Sequence, residues 1–453
     1  MTKMIAVALC LPLWLGAAEL RVGRAAVKIT PPVGMPMAGY YRVRLATGTH
    51  NDLHAKALVI EKDGVKTALV ACDLVSMPRP IVESARGLIG QTTGVRPDHV
   101  MISSTHSHTG PELGARLTGV DDPTMRLAKA YLEGLPGKIA ESVRLAEADL
   151  KPARVRAGIG REDSVSFIRR FRMKDGSTGW NPGKRNPNIV RPLGSIDPAV
   201  PVVAFESADS KPLATYVNFA CHLDTVGGLD FSADYPYTLG RLLGEVRGPE
   251  MLTLFTIGTA GNINHIDVRS PDPQKGHAEA ARIGAILAAA VLKTRLEAVE
   301  TGPLGARSEI VKLPLAAFGP ADVEKAKKVV AAYGTNLFPF LEQVRAFQVL
   351  DLERRNGQPL EAEVQVITLG DQLAWVGLPG EIFVELGKAI RTASPFPYTI
   401  IAELANGSVG YVPDRKAYVD GAYEVISARC SEGSGEMLVE AAVRLLVEAR
   451  RRQ

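Results

Sequence analysis

The sequence predicts a mixed α/β (α+β) protein: one large domain with a mixed β-sheet core flanked by helices. Three observations carry this. Short apolar runs rich in β-branched residues end repeatedly in polar loops marked by Gly or Pro. Stretches of helical periodicity lie between them. No internal repeat or low-complexity linker divides the chain. With 453 residues, 46% hydrophobic and 23% charged, the composition is that of an ordinary globular protein. The net charge of +4 is a weak excess, and no basic run exceeds the terminal "RRRQ", so nucleic acid is not an expected partner.

The N-terminus reads as an export signal. Lys3 supplies the positive start, and "MIAVALCLPLWLGAA" is an apolar stretch too short to span a bilayer, ending in small residues. Cleavage is placed after Ala18, so the expected organisation is a signal over 1–18 and a domain over 19–453. The product is expected in the periplasm or secreted. Cys10 follows Leu9 inside the apolar stretch, which does not suit a lipid-anchor cysteine. Cys72, Cys221 and Cys430 are odd in number and widely spaced, and read as buried thiols rather than a disulfide framework.

The first strands are "RVGRAAVKITPP" and "HAKALVIEKDGVKTALVACDLV", the latter a pair turning at Lys62-Asp63-Gly64. Pro78 to Thr93 reads as a helix, "DHVMISSTH" as a strand, and Pro123 to Glu147 as an amphipathic helix. Strands return between Arg154 and Ser210, interrupted by "KDGSTGWNPGKRNPN", whose Gly, Pro and Asn content reads as a loop. "LATYVNFACH" and "MLTLFTIGTAGN" read as buried strands that deliver loops. Gly276 to Val299 reads as a helix. "AEVQVITLGDQLAWVGLPGEIF" holds two strands about Gly370-Asp371, then a helix opening near Pro379. "PYTIIAELANGSVGYVP" is a strand and loop, and Gly435 to Arg451 is the closing helix.

The chemistry concentrates in "MISSTHSHTGPE". The chain has only eight histidines, yet His106 and His108 stand two apart at the end of an apolar run. On a strand such residues share a face. Two imidazoles there can meet one metal ion, one can bind while the other faces a substrate, or both can belong to a hydrogen-bonded turn. His222 in "NFACHLDTVGG" also follows an apolar strand and opens into a Gly-rich loop, where a ligand is held and space remains for substrate. His50, His54, His99 and His277 lack this setting, and His265 stays open. Glu381 in "GLPGEIF" follows a Pro-Gly turn, where a first-turn glutamate also suits the helix dipole.

The segments "VKITPPVGMPMAGY", "ISSTHSHTGPE", "NFACHLDT", "IGTAGNINHID", "LPGEIF" and "NGSVGYVPDRKAYVDGAYE" occur in the order seen in the neutral/alkaline, non-lysosomal ceramidase family. The resemblance spans roughly Val22 to the end of the chain. It implies a Zn²⁺ cofactor with His106, His222, Glu381 and Tyr411 as metal ligands, and His108 lining the reaction site. It implies that Tyr423, twelve residues beyond Tyr411, contacts the substrate carbonyl. An arginine also belongs to such a site; "SFIRRF" offers Arg169 or Arg170, and Arg169 is preferred. The implied reaction is hydrolysis of the N-acyl amide of a ceramide-like lipid by metal-activated water.

Two departures qualify the resemblance. The family's Gly-Asp-Val-Ser-Pro-Asn segment reads "GNINHI", which puts Asn264 where a serine is expected. An amide is no serine-type nucleophile, so attack by activated water is expected, with Asn264 orienting substrate or, like Asn262, forming a turn. The immunoglobulin-like C-terminal domain of full-length ceramidases is not expected here either. These departures favour, as alternatives, a zinc hydrolase of a polar amide, ester or glycoside, or a metal-containing binding protein without catalysis. Asp73 and Asp234 are expected either to orient ligand histidines or to serve in capping and turn hydrogen bonds.

Overall fold

The computed structural model describes residues 19–113, 121–335 and 337–451. The expected export signal, with Lys3 and Cys10, lies outside the described residues. Among the described residues no helix is long and apolar enough to cross a membrane.

Two sheets stack face to face. The larger has nine strands; its main path runs Leu252–Ile257, Pro212–Phe219, Ala199–Ser207, Lys151–Arg161, Arg21–Lys28, His54–Lys62, Val65–Cys72 and Val100–Ser104, and Glu297–Ala298 pairs with Lys151–Arg161. The path is antiparallel except for the outermost pair at each edge, which is parallel. Only two register pairs join Arg21–Lys28 to Lys151–Arg161, so the sheet opens there. Right-handed twist accumulates across so many strands. The sheet curls until Leu252–Ile257 touches His54–Lys62, Val65–Cys72 and Val100–Ser104.

The smaller sheet has the strands Leu304–Leu313, Leu360–Leu369, Leu373–Gly377 and Tyr398–Ala402. Leu58, Ile60, Phe205, Tyr216 and Leu254 of the larger sheet pack on Ile367, Leu373, Trp375 and Ile400 of the smaller. Each fully buried apolar side chain of this size contributes about 1.5–3 kcal/mol, which makes this interlayer face a strong tie between the sheets. Helices cover the outer faces. Arg79–Thr92 and Asp122–Ala148 lie on one part of the larger sheet, and Tyr235–Arg247 and His277–Lys293 on another. Val384–Ala393 and Ser434–Arg450 cover the smaller sheet. The order of layers is helix, sheet, sheet, helix, as expected for two sheets each apolar on both faces.

The turn read at Lys62-Asp63-Gly64 is present, with φ of 51° at Asp63 and 77° at Gly64 joining two antiparallel strands. Cys72, Cys221 and Cys430 are buried free thiols. Three expectations are corrected. The polar stretch read as a loop is loop and turn except at Thr178–Trp180, a short strand that pairs with Arg170–Met173, which in turn pairs with Ile189–Pro192, in a small three-stranded sheet. Asp175 Oδ1 accepts from both the backbone N–H and the hydroxyl of Ser177, which closes a hairpin that composition alone concealed. The helix expected from Pro379 starts at Val384, and Glu381 lies instead in the two-residue strand Glu381–Ile382. The helix read to Val299 ends at Lys293. Helices Pro320–Ala331 and Phe340–Arg354 were not anticipated.

One side chain ties the histidine-bearing strand to the smaller sheet. Asn406 is buried, with φ of 60°, a conformation that asparagine tolerates. Its Oδ1 accepts from Ile102 N at 3.0 Å, and its own N–H donates to Ile102 O at 2.7 Å. Its Nδ2 donates to Gln365 Oε1 at 2.8 Å. Asn406→Ala leaves the Ile102 N–H and Gln365 Oε1 without these partners. We expect it to cost roughly 1–3 kcal/mol by chemical denaturation; an unchanged midpoint would deny Asn406 this role.

Candidate metal centre

The two histidine segments leave the larger sheet at strand ends. His106 follows Val100–Ser104 and sits at φ 78°, a left-handed conformation uncommon for histidine. His222 follows Pro212–Phe219. His108 N–H donates to Leu223 O at 3.1 Å and joins the two loops. The other half of the site comes from the smaller sheet. Beyond the parallel strands Leu373–Gly377 and Tyr398–Ala402, the chain pairs again in a short parallel ladder in which Glu381 is the register partner of Tyr411. Gly261 permits the two halves to touch: a Cβ there would meet Glu381 O at 2.5 Å, and its N–H donates to Ile382 O at 2.9 Å.

Glu381 Oε2 lies 3.4 Å from His106 Nε2 and 3.3 Å from His222 Nε2. The His106 ring directs Nδ1 at Val75 O, 2.7 Å away, and His222 directs Nδ1 at Ala260 O, 3.0 Å away. A carbonyl can only accept, so each Nδ1 carries a proton, and each Nε2 is the ring nitrogen turned toward the carboxylate. Glu381 Oε2 is buried and has no hydrogen-bond partner. Burial raises the pKa of Glu381, but His106 and His222 outweigh it and hold the carboxyl well below its usual range. Burial and the nearby Arg169 cation hold His222 well below its usual pKa, so the ring is neutral. A buried carboxylate oxygen facing two imidazole nitrogens, whose opposite ring nitrogens already donate to carbonyls, leaves room for a cation between them. This is the donor set and the orientation that a metal ion requires. His108 adds its ring: the three imidazoles offer nitrogens within 4.8 Å of one another and can hold a metal ion.

No family model matches the chain. Among solved structures, neutral ceramidase from Pseudomonas aeruginosa aligns with a TM-score of 0.73 and 20% sequence identity, over 96% of this chain and 75% of that one. A ceramidase complexed with C2 aligns with a TM-score of 0.73 and 19% identity, over 96% and 76% of the two chains. The chain has the fold of the neutral ceramidases.

Within that ceramidase-like fold the remaining expected residues take distinct places. Tyr411 Oη accepts from Arg169 Nη2 at 3.1 Å. Arg169 also donates from Nη1 to His222 Nε2 at 3.2 Å and from Nη2 to Gly261 O at 2.6 Å. Burial works against the Arg169 charge, but Tyr411 and Glu424 outweigh it and keep the guanidinium protonated. Of the two arginines, Arg169 reaches the histidine cluster; Arg170 turns to Glu424 Oε2 and Ala417 O. The Tyr423 ring lies 5.5 Å from that of Tyr411 and stacks on Trp180 at 4.3 Å. Burial holds its hydroxyl well above the ordinary pKa, so it remains a donor. The His108 ring packs at right angles to His106, its Nε2 3.2 Å from His106 Nε2, and burial pushes its pKa down to about 4.

Asn264 is engaged at both ends, Nδ2 donating to Asn181 Oδ1 at 2.8 Å and Oδ1 accepting from Ile266 N at 3.0 Å. Asn262 Oδ1 accepts from Val384 N at 2.9 Å, at the first residue of its helix. Asp73 accepts from His54 N, and Asp234 from Thr225 N, Val226 N and Tyr235 N. Both aspartates therefore fix backbone, while backbone carbonyls orient the histidine rings. The other histidines stay out of the cluster; His50 and His277 stack on each other at 3.5 Å, and His265 Nε2 lies 2.8 Å from Gln274 O.

Sequence reading missed Glu424, Asp224, Tyr40 and Trp180. Glu424 immediately follows Tyr423, and Asp224 stands two beyond His222, but a single acidic residue at such a place carries no distinguishing mark in the sequence. Glu424 is fully buried and accepts from Arg169 Nε at 2.8 Å and Arg170 Nη1 at 2.9 Å. Removing one member of such a group leaves buried charges without their counterion. Glu424→Ala should cost ~3–5 kcal/mol in denaturant unfolding; a loss below 1 kcal/mol would mean that the two guanidiniums are compensated elsewhere.

Proposed function

We propose that the protein is an exported, zinc-dependent hydrolase that cleaves the N-acyl amide bond of ceramide-like lipids. The observation that carries this reading is the unpartnered Glu381 Oε2 between His106 Nε2 and His222 Nε2, next to Arg169, Tyr411 and Tyr423 in a ceramidase-like fold. His106, His222 and Glu381, with Tyr411 beside them, are the residues that hold the ion. A bound zinc ion supplies Lewis-acid polarisation of the scissile carbonyl and lowers the pKa of water from about 15.7 to about 7.

The chain's own residues do the rest. Tyr423 donates its phenolic hydrogen to the oxygen that gains charge as the carbonyl is attacked. Arg169 positions Tyr411 through a hydrogen bond and is itself fixed by Gly261 O and Glu424. His108 carries a proton between the attacking water and the leaving nitrogen.

A second reading keeps hydrolysis and changes the substrate to a polar amide, ester or glycoside. Its support is Trp180, which the polar segment places face to face with Tyr423 and whose buried Nε1–H has no partner. A polar ring stacked there would suit that surface. Turnover of sugar conjugates with none of ceramide would select it.

The test begins with metal analysis of the purified protein and of His106→Ala and Glu381→Ala. We expect close to one zinc per chain in the parent and loss from both variants; full retention in both overturns the site. A fluorescent ceramide assay then tests the substrate. Tyr423→Phe should keep the metal and lower kcat by ~10²–10³-fold; an unchanged kcat removes Tyr423 from the reaction.

A further inference from the structure

Asp224 lies on the loop that follows His222, and its side chain is 32% exposed. Tyr40 Oη donates to Asp224 Oδ1 at 2.6 Å. The same oxygen lies 3.7 Å from His108 Nδ1, which is buried and has no hydrogen-bond partner. Lys275 and His265 also act electrostatically on Asp224. The three segments involved are fixed to one another by Arg44, whose guanidinium donates to His108 O at 2.7 Å, to Gly228 O at 2.8 Å and to Ala38 O. Arg44 also covers the Tyr40 ring, 4.2 Å from its centroid. Gly39 is required beneath this clamp, because a Cβ there would meet the His108 backbone at 2.7 Å.

Neutral His108 has one proton for two nitrogens. On Nε2 it would point at His106 Nε2 and leave a lone pair on Nδ1 facing a carboxylate, which is repulsive. On Nδ1 it faces Asp224 and leaves Nε2 as an acceptor beside His106 and Glu381. Once a cation engages the His106 lone pair, nothing at that position rewards a proton on His108 Nε2.

We propose that Asp224, held by Tyr40, is the positioning residue for His108: it accepts a hydrogen bond from Nδ1–H and so presents the Nε2 lone pair to the reacting atoms. The 3.7 Å separation closes by a small side-chain rotation, as such contacts do when a site is filled. The catalytic consequence rests on the hydrolase reading. His108 Nε2 takes one proton from water as the water oxygen bonds to the acyl carbon. It returns that proton to the leaving nitrogen as the C–N bond breaks. Carboxylic acid and amine are released, and His108 is again neutral, with Asp224 having balanced its transient positive charge.

The test uses the zinc-loaded full chain labelled with ¹⁵N-histidine. Long-range ¹H–¹⁵N spectra distinguish the two tautomers, and His108→Ala assigns the signal. We expect the Nδ1–H tautomer in the parent, and a shift toward Nε2–H in Asp224→Asn with a smaller shift in Tyr40→Phe. Bound zinc should be unchanged in all three. An Nε2–H tautomer in the zinc-loaded parent overturns the proposal whatever the activity. On fluorescent ceramide, Asp224→Asn should lower kcat by ~10²–10⁴-fold with little change in KM, and the Asp224→Asn/His108→Ala double variant should lose no more than His108→Ala alone. Losses that multiply would show that Asp224 acts independently of His108. Zinc retained with no turnover of ceramide or of a panel of polar amides, esters and glycosides in the parent defeats the hydrolase reading, while the tautomer still decides the role of Asp224.

Discussion

A carboxylate buried against two imidazoles, whose Nδ1 protons are already committed to backbone carbonyls, requires positive charge where the three meet. Glu381, His106 and His222 impose that requirement here. Burying an ionised carboxylate without compensation is strongly unfavourable, so the surrounding structure has to hold the three groups together. Several local features answer to it: the left-handed backbone at His106, the glycine that lets position 261 lie against the Glu381 carbonyl, and the short ladder that sets Glu381 beside Tyr411. None of these would be favoured by an isolated segment.

The site is assembled across two sheets, and its stiffness comes from the links between them. Asn406 takes both backbone hydrogen bonds of Ile102, four residues before His106. Glu424 fixes Arg169 and Arg170, and Arg169 reaches His222, Tyr411 and the Gly261 carbonyl. A guanidinium engaged on all sides has little freedom, so the groups it touches are held in position before any substrate arrives.

The two flanks of the cluster differ chemically. One carries His108, Asp224 and Tyr40; the other carries Tyr423, Trp180 and Phe340 with their rings stacked. A single loop supplies both, since Tyr40 bonds to Asp224 while the next residue, Tyr41, packs edge-on against Phe340. The apolar flank also draws on helix Phe340–Arg354, which lies far from the metal-binding segments in sequence.

The mixed sheet core, most strand and helix positions and the two histidine-bearing strand ends were legible in the sequence, because apolar periodicity and Gly-marked loops are local signals. The ordered resemblance to the ceramidases points to His106, His222, Glu381, Tyr411 and Tyr423. The strand Thr178–Trp180 is hidden in the sequence because it lies in a Gly-, Pro- and Asn-rich stretch and its turn is closed by Asp175 rather than by an apolar pattern. The start of helix Val384–Ala393 was misplaced because Asn262, more than a hundred residues earlier, accepts from its first N–H. What only the tertiary structure decided is which rings face which atoms: that carbonyls rather than Asp73 and Asp234 orient the histidines, that Arg169 rather than Arg170 enters the site, and that Asp224 looks at His108. Such choices depend on hydrogen-bond geometry between segments that only folding brings together, and no short stretch of sequence contains both partners.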